Sequence, residues 1–156
     1  MTYQASNPSL SYRRSLEALH ELHKLAVAGK DEEPEVEGFC NEMERHWGSL
    51  SERERARLSG LSADLDSVLN PLRESDRIDP RSQDLLTEDL LAVSGQLDET
   101  LDVLRRWAPL LSSADLSHRR GLAWEGAGDH ETAAIFFEHT DRLGAPGRVH
   151  ATERTL

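Results

Sequence analysis

The chain has 156 residues, a formal net charge of −11 and a hydrophobic content of 37%. This length suits one compact domain around a single hydrophobic core, and no apolar run is long enough to span a bilayer. Residues 1–102 hold 22 acidic against 11 basic residues, whereas residues 103–156 hold 7 of each. Because such a charge repels phosphate backbones, nucleic acid binding is disfavoured.

The N-terminal residues and the cysteine content indicate the compartment. Residues 1–8 are polar and lack the basic and then apolar segments of a signal peptide. A single cysteine, Cys40, excludes an internal disulfide and is compatible with a reducing environment. We therefore expect a cytoplasmic location and no association with membranes.

Apolar residues at helical spacing predict the first two helices. The first runs from about residue 9 to residue 28 and ends at Gly29. The second begins at Pro34 and ends before Gly48. We expect its cysteine to be packed in the apolar stripe rather than to act as a reactive thiol. That stripe comprises Val36, Phe39, Cys40, Met43 and Trp47.

A capping box predicts the start of the third helix, because Ser51 is followed three residues later by Glu54. This helix should close at Asn70-Pro71, which makes residues 1–70 an N-terminal unit of three helices. Residues 71–81 have two prolines and few apolar side chains, so they predict an exposed connection. The third helix should bury the stripe Leu58, Leu61, Leu65 and Val68.

Four more helices are predicted after the connection, so the expected fold is all-α with about seven helices. Short links at Ser94-Gly95 and Gly128-Asp129 should arrange them as two antiparallel hairpins within residues 82–146. Residues 147–156 are polar and unpatterned, and we expect a mobile tail. The four helices lie near residues 82–93, 97–107, 113–127 and 130–143.

The second hairpin resembles a tetratricopeptide (TPR) unit over residues 113–146. Its small, aromatic and turn residues follow the order of that motif, and the two glycine links lie 33 residues apart, close to the TPR period of about 34. Small residues would let two helices approach while aromatic rings fill the adjacent space. The matching residues are Gly121, Trp124, Gly128, Ala133 and Phe137.

The preceding segment, residues 81–111, departs from the motif because Glu88 and Thr100 stand at its small positions. Leu91, Gly95 and Leu104 remain acceptable, so whether this is a true TPR unit stays open. The resemblance implies a right-handed stack of hairpins in the C-terminal half. Because a stack of two units leaves core exposed, the N-terminal three-helix unit is expected to cap it, with another chain as the alternative.

TPR proteins commonly bind peptides along a groove lined by the first helix of each hairpin. The resemblance thus implies a non-enzymatic interaction, scaffolding or adaptor role, with a protein or peptide as partner and no cofactor. Self-association is left open. The corresponding face lacks the Lys and Asn clamp that one TPR subtype uses for a C-terminal carboxylate. It offers Leu85, Asp89, Ala92, His118 and Leu122.

Two further clusters are candidate interface residues. Arg105, Arg106 and Trp107 precede the apolar Leu110, a composition that favours an interface centre. The alternative is that Trp107 packs under the next hairpin while both arginines face solvent. His118 and Arg119 could meet an acidic group of a ligand beside Leu122, or could be plain solvated surface.

Two other functions compete with this interpretation. Glu17 and His20 of the first helix, with Glu42 and His46 of the second, have the spacing of a helical metal site, although a solvated helix face has the same composition. The acidic N-terminal half could also mimic a polyanion and occupy a basic protein surface. No catalytic triad, phosphate-binding loop or zinc motif is found, so we predict no enzyme activity.

Overall fold

The computed structural model describes residues 9–30, 32–69 and 78–142. These residues form seven α-helices and no β-strand, which confirms the all-α prediction. None of the described helices is both long and apolar enough to cross a bilayer. The chain divides into two compact units, which we call unit 1 (Met1–Leu69) and unit 2 (Asn70–Leu156).

Several predictions concern residues outside the described part of the chain. They include the helix end at Asn70-Pro71 and residues 71–77 of the predicted connection. At the other end of unit 2, the last residues of the second hairpin, 143–146, and the predicted tail at residues 147–156 also lie outside it.

The described residues of unit 1 form three helices, and side-chain caps set the starts of the first and the third. Ser9 Oγ accepts a hydrogen bond from the Tyr12 amide at 3.0 Å and caps α1. The predicted capping box is present at α3: the Glu54 amide donates to Ser51 Oγ at 3.1 Å, and the Ser51 amide donates to Glu54 Oε1 at 3.0 Å. The helices are α1 (Leu10–Val27), α2 (Pro34–Trp47) and α3 (Glu52–Leu69).

Within unit 1, α1 packs against both α2 and α3. The whole predicted stripe of α3 is buried, and α1 buries Tyr12, Ala18 and Leu19. By contrast, α2 has no buried residue. The prediction that Cys40 is packed is therefore wrong: Cys40 is exposed, because only the α2 residues nearest α1 are partly covered.

Glu54 also joins the start of α3 to the start of α1. Its Oε2 accepts hydrogen bonds from the Ser9 hydroxyl at 3.0 Å and from the Ser9 amide at 3.3 Å. Burial alone would raise the pKa of Glu54, but the hydrogen bonds from Ser51 and Ser9 favour the carboxylate and outweigh burial. The pKa of Glu54 consequently lies below its ordinary value of 4.5.

We expect unit 1 to lose stability as the pH falls below about 4.5. Because the fold lowers the pKa of Glu54, the ionised carboxylate adds to the free energy of unfolding. This stabilisation is complete above the ordinary pKa and is lost as the pH falls through the lower pKa of the folded state. Urea titrations near pH 6 and near pH 3, followed by amide NMR signals of α1 and α3, measure this loss. The loss should shrink in Glu54→Gln and in Ser9→Ala; an equal loss in wild type and both variants contradicts the expectation.

The described residues of unit 2, 78–142, form four α-helices and one turn of 3-10 helix. Both predicted glycine links are left-handed, with φ of 82° at Gly95 and 88° at Gly128, a conformation that side chains with a Cβ rarely adopt. These residues therefore end α4 and α6 sharply enough for the next helix to begin at once. The helices are α4 (Pro80–Ala92), α5 (Leu97–Trp107), the 3-10 turn (Ala108–Leu110), α6 (Ser113–Gly126) and α7 (His130–Arg142).

The apolar core of unit 2 has two parts. One is a cluster built on Leu86 of α4, Val103 and Leu104 of α5, and Leu111 after the 3-10 turn. The other lies where α6 packs against α7, with Trp124, Ala133 and Phe136 each no more than 1% exposed. Helix α6 also packs against α5, so α6 contacts both α5 and α7.

Gly121 allows the close approach of α6 to α7. A Cβ at this position would lie 2.5 Å from Phe137 Cε1 and 2.7 Å from Cδ1, which is shorter than van der Waals contact. The Phe137 ring thus occupies the volume that any other residue at position 121 would need. His118, one turn before Gly121, packs against the same ring with 5.7 Å between centroids.

Candidate functional site

Trp107 is part of the unit 2 packing rather than an exposed contact. Its Nε1 donates a hydrogen bond to Asp89 Oδ2 of α4 at 2.8 Å. The half-buried ring packs against the cluster that includes Leu86 and Leu104. The structure packs Trp107 against α4, the helix before its own, where Asp89 satisfies the indole N–H within unit 2.

The neighbouring residues of Trp107 do not form a continuous surface with it. Arg105 Nη1 donates to Asp102 Oδ1 at 2.9 Å along α5, whereas Arg106 is exposed. Leu110 is 47% exposed at the end of the 3-10 turn, but the next residue, Leu111, is buried. This edge therefore offers the exposed side chains of Arg106 and Leu110.

A groove in unit 2, which we call the α5–α6 groove, lies beside two predicted binding residues, Arg119 and Leu122. It has a volume of about 300 Å³ and is formed by the end of α4, the turn at Gly95, the first half of α5 and one side of α6. Its lining is mostly apolar. The lining residues are Leu90, Ser94, Gly95, Gln96, Leu97, Thr100, Leu104, Arg119, Leu122, Ala123, Gly126 and Ala127.

Two of the predicted binding residues, Arg119 and Leu122, line this groove. Leu122 is 53% exposed in the wall of this concavity, beside an apolar lining. Arg119 Nε donates to Asp115 Oδ1 at 3.0 Å, one turn earlier on α6. This ion pair fixes the guanidinium at the groove as its one charged lining residue.

Other residues of the predicted groove face lie elsewhere. His118 packs on Phe137, and Asp89 accepts the hydrogen bond from Trp107. Leu85 and Ala92 are exposed on α4 away from the groove lining. The sequence did not predict that the α4–α5 turn and Leu97 help to line this groove. The local signal for it is Gly95, whose left-handed conformation forms that turn.

The predicted metal ligands of unit 1 are only partly brought together. His46 Nε2 lies 3.1 Å from Glu42 Oε2, and His46 Nδ1 lies 3.3 Å from Ser11 Oγ. Glu17 is exposed on α1, whereas His20 is buried. In residues 9–30, 32–69 and 78–142, no group of three or more His, Cys, Asp or Glu side chains is arranged to hold a metal ion.

A second concavity, the α1–α2 groove, lies on the surface of unit 1. Its volume is about 460 Å³, and it brings Glu17 and Glu42 to one lining without the two histidines. Its charged residues are four glutamates and one arginine. The described lining residues are Arg14, Glu17, Ala18, Glu21, Glu35, Gly38, Phe39 and Glu42.

Comparison with known proteins gives no match: no family model, no curated protein and no solved structure is found to be similar to this chain.

Proposed function

We propose that this chain is a non-enzymatic protein interaction module of TPR-like type, and that the α5–α6 groove receives an apolar segment of a partner protein. The observation that carries the proposal is Leu122, half exposed in the wall of an apolar groove. Because Leu122 is already about half covered, burying the rest of it under a partner side chain contributes about 1 kcal/mol to a complex. An apolar side chain that a partner covers belongs to the apolar core of a protein interface, with polar groups at its rim.

The arrangement of α6 and α7 supports the TPR-like part of the proposal. Gly121 and Phe137 meet as the motif requires, and Trp124 and Ala133 are buried beside them. In this proposal α4–α5 and α6–α7 are two antiparallel hairpins in a right-handed stack. A rigid α6 then presents Leu122 and Arg119 to the partner in a fixed geometry.

Arg119 gives the partner segment its second chemical feature. A guanidinium has five N–H donors, and the Nε–H is directed to Asp115. The terminal nitrogens remain suited to a carboxylate, so the proposed partner carries Asp or Glu next to its apolar residues. Selection of a random displayed peptide library on the whole chain should therefore enrich large apolar residues together with acidic ones.

Leu122→Glu should weaken binding of the enriched peptide by about tenfold or more, because it removes apolar cover and repels the acidic residue. Fluorescence anisotropy of the labelled peptide measures the effect. Leu85→Glu makes the same change on a leucine that is 48% exposed on α4 and should leave the affinity unchanged. Equal affinities for wild type and Leu122→Glu reject the α5–α6 groove as the binding site.

A further inference from the structure

The apolar stripe of α2 is left incompletely covered in unit 1. Among the described α-helices, α2 alone has no buried residue, although Val36, Phe39 and Met43 recur at helical spacing. These three side chains are half-buried, and Trp47 at the end of the helix is 37% exposed. An amphipathic helix in a folded unit normally buries such a stripe, so this face has the character of an interface.

The α1–α2 groove combines this incompletely covered face with negative charge. Its apolar lining residues are Ala18, which is buried, and Phe39, which is half-buried. Four glutamates against the single Arg14 give the lining a formal charge of −3. An apolar centre with a charged margin is the usual anatomy of a surface that binds another protein.

Three carboxylates of this groove are accessible to a cationic partner, whereas Glu42 already pairs with Arg45 and His46. Glu17 and Glu35 are exposed and form no ion pair within the described residues. Glu21 pairs with Lys24 at 3.0 Å, and this lysine side chain is 65% exposed. Because exposed pairs of this kind contribute little, a partner's Lys or Arg can replace Lys24 at small cost.

We propose that the α1–α2 groove binds a basic amphipathic helix of a partner protein, independently of the α5–α6 groove. Apolar side chains of that helix cover Phe39 and Ala18, and its Lys or Arg residues lie beside Glu17 and Glu35. Charge complementarity selects this occupant. A second copy of the chain would bring glutamates against glutamates, and a nucleic acid or an anionic lipid surface would be repelled.

A synthetic peptide of about 14 residues, matched to the length of α2, provides the probe. It carries leucine along one helical face and lysine elsewhere, and anisotropy of the labelled peptide reports its binding to the whole chain. Saturable binding should weaken about tenfold in Glu17→Gln/Glu35→Gln. The control Asp84→Asn/Glu88→Gln changes the charge equally at exposed positions of α4 and should alter the affinity less than about twofold.

Three results would overturn the proposal. The first is equal weakening by both double variants, which would mean that the peptide senses only net charge. The second is equal affinity for a scrambled peptide of the same composition, since that peptide lacks an apolar face. The third is a dimer of the chain, seen by sedimentation, that dissociates in Phe39→Ala, because a second copy would then occupy the groove.

Discussion

Trp124→Ala should lower the free energy of unfolding of unit 2 by about 3–5 kcal/mol. Trp124 is 1% exposed and is among the largest fully buried side chains, so its removal leaves a cavity between α6 and α7 that neighbouring side chains cannot fill. Such a loss is a large part of the roughly 5–15 kcal/mol that stabilises an ordinary domain. Urea unfolding followed by circular dichroism and by amide NMR signals of α7 measures it.

Trp47→Ala is the matched control for this prediction. Trp47 is 37% exposed at the end of α2, so its loss should cost clearly less than the loss of Trp124. The Trp124→Phe variant separates lost packing from lost hydrogen bonding. Within the described residues Trp124 Nε1 has no hydrogen-bond acceptor, so the phenyl ring loses no hydrogen bond. A Trp124→Ala loss as small as that of Trp47→Ala would contradict the packing described for α6 and α7.

Gly121→Ala should destabilise unit 2 by about 1–3 kcal/mol, although alanine is the better helix former. The added Cβ would lie 2.5 Å from the Phe137 ring, so either the ring or α7 must move. Gly126→Ala supplies the opposite case on the same helix, because its Cβ meets no atom within 4 Å. That variant should be neutral or slightly stabilising in the same urea titration.

A second substitution locates the cause of the Gly121→Ala effect. Phe137→Leu shortens the side chain that the new Cβ would meet, so the double variant should be more stable than the sum of the two single losses predicts. Strict additivity, or a stabilising Gly121→Ala, would show that the Gly121–Phe137 contact does not hold α6 against α7.

The helices were predictable because their boundaries are set by residues close in sequence. Ser51 and Glu54 cap α3 reciprocally, and Gly95 and Gly128 take left-handed conformations in the links. The spacing that assigned Leu97–Trp107 to one helix matches the structure. Local capping and periodicity carry this information without reference to the rest of the fold.

The surroundings of each helix face were less predictable. Periodicity grouped Cys40 with Phe39, but it could not show that α1 covers only part of that stripe, so Cys40 is exposed. Likewise, the sequence left open whether Trp107 is exposed or packed; its hydrogen bond to Asp89, 18 positions away, holds the half-buried ring against α4. The burial of a side chain depends on which other helix packs against it, and the apolar pattern of one helix does not predict which helix that is.

Amide NMR spectra of the whole chain, titrated with the peptide selected from the displayed library, test the central claim most directly. If the α5–α6 groove binds the partner segment, the largest shift changes will be at Gly95, Leu97, Leu122 and Gly126, and the α2 signals will stay unchanged. Largest changes at α2, or none in unit 2 at saturating peptide, would contradict the account.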